Sequence, residues 1–170
     1  MRNTHFDFSD KELKQMPEPS GRDVARSLDV SQNKIKELKN VEFFLNIRFL
    51  NISHNRITDL SPLVTCTTLV ELDCSNNKIS KLDPISNLPK LKKLDVSYNE
   101  LSEITKQLPH TLISVNLSNN NFTNFEFLQD KLSDELINLD ISGNGIEEIH
   151  ALRFVAVFQK LLTLNVGILE

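Results

Sequence analysis

The chain has 170 residues, 39% of them hydrophobic and 25% charged, with 19 basic against 23 acidic side chains and a formal net charge of −4. That length and composition describe one soluble globular domain, with no run near the ~20 apolar residues of a membrane span. The acidic balance argues against a nucleic-acid or anionic-membrane surface, which needs excess Lys and Arg. With four glycines and neither GxGxxG nor GxxxxGK[ST], a glycine-rich phosphate loop is excluded. Met1 to Asp7 contains no apolar stretch of the signal-peptide kind.

A repeat organises the whole chain. Asn33, Asn55, Asn77 and Asn99 recur every 22 residues, and Asn120 and Asn144 follow after 21 and 24. The same phrase surrounds each: Leu28-Asp29-Val30-Ser31-Gln32-Asn33, then Leu50-Asn51-Ile52-Ser53-His54-Asn55, then Leu72-Asp73-Cys74-Ser75-Asn76-Asn77. Leu94-Asp95-Val96-Ser97-Tyr98-Asn99, Val115-Asn116-Leu117-Ser118-Asn119-Asn120 and Leu139-Asp140-Ile141-Ser142-Gly143-Asn144 complete the set. Degenerate copies stand at Phe6-Asp7-Phe8-Ser9 and Leu164-Asn165-Val166.

Each phrase alternates apolar and polar residues, the pattern of a strand with one face on a core. Eight strands are expected, starting near 6, 28, 50, 72, 94, 115, 139 and 164, stacked in parallel over roughly 34 Å. The recurrent Asn ends each strand, and its amide is suited to backbone groups that the turn leaves unpaired. Asn33, Asn55, Asn77, Asn99, Asn120 and Asn144 therefore read as a structural ladder.

Beyond each Asn the apolar residues fall at +2 and +5: Ile35/Leu38, Ile57/Leu60, Ile79/Leu82, Leu101/Ile104, Phe122/Phe125 and Ile146/Ile149. They continue at intervals of three, as in Leu60, Leu63, Cys66, Leu69 and Leu72. That period suits 3-10 or single-turn helix, and Pro62, Pro84 and Pro89 interrupt anything longer. Two later segments, 126–132 and 151–160, read as helices.

The pattern resembles the leucine-rich repeat family, LxxLxLxxNxL, in its 22-residue class. The resemblance implies an α/β solenoid with about eight parallel strands on the concave face and 3-10 or short helices on the convex face. Residues 1–170 then form a single domain. Residues 1–24 hold the N-terminal cap and first degenerate repeat, 25–149 the six full repeats, and 150–170 a cap-like helix and last strand. Phe6, Phe8, Leu13 and Met16 are expected to cover the front of the core. Arg153-Phe154-Val155 to Asn165 resembles the C-terminal cap of intracellular members. It lacks their tyrosine, proline and aspartate, so the resemblance there is partial, and with the sequence stopping five residues after Asn165 a piece of a longer chain is expected.

Cys66 and Cys74 both fall on core positions and read as buried, reduced thiols. No HExxH, CxxC or paired metal spacing occurs. A carboxylate and amide column runs down the inner sheet through Asp7, Asp29, Asn51, Asp73, Asp95, Asn116, Asp140 and Asn165. Asp73 and Asp95 are neighbours there, but Leu-Asp-Val-Ser is ordinary repeat consensus. No enzyme, cofactor or metal is expected.

Consensus columns carry the fold, so specificity should lie in the variable ones. Phe49 and Tyr98 are aromatic where the pattern places exposed residues. With Asn51, His54, Glu71, Asp73, Asn76, Lys93, Asp95 and Asn119 they form the expected concave binding face, Glu71 and Lys93 being placed to pair. Lys34, Arg56 and Lys78 form a possible basic rim. The expected partner is a protein, as a helix or extended segment, not nucleic acid or membrane. Self-association through an uncovered end is a further expectation. By resemblance, the function is a non-catalytic protein–protein interaction module. The expected setting is the N-terminal domain of a cytoplasmic scaffold of the cytoskeleton, centrosome or cilium. The alternatives are a phosphatase-1 regulatory subunit and a bacterial internalin-like adhesion or effector protein.

Overall fold

The computed structural model describes residues 4–18, 20–124, 128–145 and 158–167. It contains eight three-residue strands: β1 (His5–Asp7), β2 (Ser27–Asp29), β3 (Phe49–Asn51), β4 (Glu71–Asp73), β5 (Lys93–Asp95), β6 (Ser114–Asn116), β7 (Asn138–Asp140) and β8 (Thr163–Asn165). They form one parallel sheet in chain order. Each begins one residue before the expected position. The central residue of β2 to β7 is buried, while its two neighbours face outward.

The chain returns between strands through 3-10 turns at Arg22–Val24, Val41–Phe43, Ser61–Thr65 and Asp83–Ile85. Pro62 and Pro84 sit in the first turn of their elements, where a missing N–H costs nothing. The three-residue apolar interval is thus realised as tight turns rather than α-helix. Among the described residues a short α-helix, α1 (Leu128–Lys131), lies inside the expected 126–132 segment. Most of the 151–160 segment lies outside the described residues, as do Phe125, Ile146 and Ile149.

The core runs between sheet and turns. Ile35, Leu38, Ile57, Leu60, Ile79, Leu82, Leu101, Ile104 and Phe122 are all buried, as are Leu63, Cys66 and Leu69 in the interval-of-three series. Each fully buried aliphatic side chain contributes about 1.5–3 kcal/mol. Met16 is buried at the front, and Phe6, Phe8 and Leu13 pack partly buried against the core, as a solenoid end requires. Phe158, Leu161, Leu164 and Val166 pack at the other end.

The asparagine ladder is the polar counterpart of this core. Asn77 donates from Nδ2 to the carbonyls of Ile52 (3.0 Å), Cys74 (3.1 Å) and Ser75 (3.1 Å), and its Oδ1 accepts the N–H of Ile57 at 2.9 Å. Asn33, Asn55, Asn99, Asn120 and Asn144 repeat the arrangement. Every rung joins two successive repeats, so polar satisfaction and stacking are one event.

Candidate functional site

The strand face carries three outward columns. The first opens each strand and contains Phe49, Glu71 and Lys93. Register places Phe49 between Ser27 and Glu71, and the residue remains 39% exposed. The side chain covering it is the one that sequence reasoning missed: the Arg48 guanidinium stands 5.7 Å from the ring centroid. A cation over a ring face holds it by about 0.5–1 kcal/mol. The only sequence signal was a basic residue directly before the aromatic one. Lys93 meets Glu71 at 2.9 Å, as their common column predicts. At that exposure the pair contributes ~0–1 kcal/mol.

The second column closes each strand. Asp73 Oδ1 accepts the N–H of Ser75 at 3.0 Å and its hydroxyl at 2.7 Å, and Asp95 holds Ser97 in the same way. Amides bridge neighbours: Asn51 Nδ2 donates to Asp29 at 3.1 Å, and Asn116 Nδ2 donates to Asp95 at 3.0 Å. Asp73 stands between Asn51 and Asp95, and among the described residues it takes hydrogen bonds from Ser75 alone. The column is therefore built into the turns that leave the strands. At its front end, the Ser9 hydroxyl and N–H hold the Asp7 carboxyl below its usual range.

The third column precedes each ladder Asn, and here the structure adds something unforeseen. Asp10, Gln32, His54, Asn76, Tyr98 and Asn119 all have φ between 51° and 55°, and Gly143 has 64°. Each is a left-handed residue, a conformation that costs non-glycine side chains about 1–2 kcal/mol. Backbone bonds to the next repeat hold it there: the N–H groups of His54, Asn76, Tyr98 and Asn119 donate to the carbonyls of Ser75, Ser97, Ser118 and Ser142. Asn76, Asn119 and Gly143 in one column were the available signal. Gly143 also makes room, because a Cβ there would stand 2.5 Å from Asn119 Oδ1.

Tyr98 is accordingly not a strand residue, a correction to its expected place on the inner sheet. It lies three positions past β5, on the turn, with 56% of its surface exposed. Phe49 and Tyr98 are two rungs apart along the axis, about 10 Å, but also lie at opposite ends of the strand segment. Their separation is diagonal, roughly 19 Å if the chain stays extended.

The basic rim is only partly free. Lys34 pairs with Glu12 at 2.9 Å, while Arg56 and Lys78 are exposed. Cys66 and Cys74 are free thiols and buried. Burial pushes the Cys66 thiol up to about 11, and burial with Asp73 and Asp95 nearby raises Cys74 well above its ordinary value. Among the described residues, no helix is long and apolar enough to cross a membrane.

Comparison with known proteins agrees with this geometry. Residues 67–110 match the family model "Leucine Rich repeats (2 copies)", and residues 46–66 match "Leucine Rich Repeat". No curated protein matches the chain significantly. Among solved structures, an internalin (InlF) from Listeria monocytogenes is similar at 27% identity and a TM-score of 0.78, over 94% of this chain and 46% of that one. The functional domain of InlJ from Listeria monocytogenes, which includes a cysteine ladder, is similar at 27% identity and 0.63, over 89% of this chain and 37% of that one. The leucine-rich repeat domain of APL1B shares the fold at 24% identity and 0.73, over 93% of this chain and 46% of that one. The chain thus spans less than half the length of each. With its ladder, eight-stranded parallel sheet and 3-10 returns, the chain is a leucine-rich repeat protein.

Proposed function

We propose that this chain is a non-catalytic protein-interaction module that binds its partner across the concave strand face. The observation that supports this reading is the exposure of Phe49 and Tyr98 on a face whose repeated Asp, Asn and Ser side chains are engaged in architecture. Two aromatic side chains left in solvent beside satisfied polar columns form an anchor pattern. Their diagonal spacing suits a helix of about 13 residues lying obliquely, at 1.5 Å per residue. His54, Asn76 and Asn119 share the turn column with Tyr98, and Glu71 and Lys93 share the entry column with Phe49. They supply polar contacts around the anchors.

Among finer roles, two Listeria internalins at 27% identity favour an internalin-like adhesion or effector protein. The cytoskeletal, centrosomal or ciliary scaffold, the phosphatase-1 regulatory subunit and a cytoplasmic location rest on the repeat class alone. Affinity capture with the intact chain, compared by mass spectrometry with a Phe49→Ala/Tyr98→Ala double variant, tests the binding face. A partner retained equally by both overturns it.

A further inference from the structure

The edge where the chain enters the sheet carries a surface that meets the concave face only at Arg48, whose guanidinium stands over the Phe49 ring. A groove of about 550 Å³ runs along it, lined by Thr4, Val24, Arg26, Asn46, Arg48, Thr68, Val70 and Lys90. Three of these side chains are cationic and none is a carboxylate, in a chain whose net charge is −4. Arg26, Arg48 and Lys90 are exposed, and Lys92 continues the row. Among the described residues none of the four joins an ion pair, whereas Lys34 on the opposite edge is bound to Glu12.

The row is held rigidly. The N–H of Arg48 donates to Arg26, that of Val70 to Arg48 and that of Lys92 to Val70, each at 2.8 Å. These side chains are thus mounted one per rung, about 4.8 Å apart. The neutral polar groups of the groove are partly engaged within the protein: Asn46 donates to the Asp23 carbonyl at 2.6 Å and Thr68 to the Ile47 carbonyl at 2.7 Å. The cations remain as the recognition elements, with half-buried Val70 between Arg48 and Lys92 as an apolar contact.

We propose that this strand-entry groove docks an extended acidic segment of a partner protein. Three rungs from Arg26 to Lys92 span about 14 Å, the reach of four or five extended residues at ~3.3 Å each. Carboxylates on such a segment would meet Arg26 and Arg48, each of whose planar forks can donate two parallel N–H bonds to one carboxylate. An apolar residue next along the segment would meet Val70, and a further carboxylate would meet Lys92. A polyphosphate chain fits less well, because it is charged at every unit and has no apolar group to set against Val70.

The test is fluorescence anisotropy at about 50 mM salt, where exposed charges are least screened. The probe is a labelled decapeptide of Glu and Ser with a central Val, and its Gln counterpart serves as reference. The intact chain binds the Glu peptide, and so does a K36E/K81E/K106E variant carrying the same change in net charge. A R26E/R48E/K90E variant binds at least about tenfold more weakly. The milder R26Q/K90Q variant, verified as folded by circular dichroism, also weakens binding. Equal weakening by the two triple variants overturns the proposal, as does equal binding of the Gln peptide. A single-stranded oligonucleotide binding more tightly than the Glu peptide overturns it too.

Discussion

The side-chain oxygen of Asn77 accepts the backbone N–H of Ile57, twenty residues upstream in the preceding repeat, at 2.9 Å. The same side chain donates to three carbonyls, one of them again in the preceding repeat. A residue with four such bonds is a cross-brace between repeats.

Asn77→Ala should therefore destabilise the chain by about 1–3 kcal/mol, the cost of stranding buried backbone groups. Asn77→Asp should be at least as damaging, because it keeps the acceptor for Ile57, loses the three donated bonds and buries a charge. Urea unfolding followed by circular dichroism measures both. Unchanged midpoints would show that the ladder contributes little.

The buried thiols give a pH-dependent signature. Cys66 titrates at about 11 when folded, against 9.0 ordinarily, and Cys74 is raised as well. A group whose pKa is raised by folding gives its full stabilisation below the unfolded pKa and loses it as pH climbs towards the folded value. Stability should fall between pH 9 and about 11, and the fall should be shallower in a Cys66→Ala variant. At pH 8 both thiols should resist a thiol reagent until denaturant is added.

Tyr98 pays a conformational cost for its position, with φ at 53°. Replacing it with Asn, which tolerates this region, should raise stability by about 0.5–1 kcal/mol while removing the aromatic anchor. A higher melting temperature combined with at least about tenfold weaker partner binding would separate the two roles. A lower melting temperature would show that the ring is structural.

Phe49 differs because Arg48 stacks on it. Phe49→Ala should cost stability by no more than about 1 kcal/mol, the magnitude of an exposed cation–π contact. Calorimetry on Phe49→Ala, Arg48→Ala and the double variant gives the coupling energy directly. A coupling of zero would mean that the stacking does not persist in solution.

Gly143 combines a φ of 64° with a neighbour where a Cβ would project. Gly143→Ala should lose about 1 kcal/mol, chiefly from the left-handed backbone, since the Asn119 side chain can move aside. Gly143→Asn should lose less. Thermal melts of the two variants check the order.

The repeat by itself determined the strand count, the order, the ladder and the buried columns. Each feature is written six times at nearly constant spacing, so a period in Leu and Asn defines one backbone path that stacks on itself. Strand positions were therefore legible to within one residue, and the burial of Cys66 and Cys74 followed from their columns. The tertiary structure decided what happens where repeats differ. Arg48 covers Phe49, Asn116 bridges to Asp95, and Glu12 neutralises Lys34. All but the Arg48–Phe49 stacking depend on contacts or backbone geometry set between residues about one repeat apart. Variable columns carry no period, so only the register of one repeat on the next fixes which of their side chains meet.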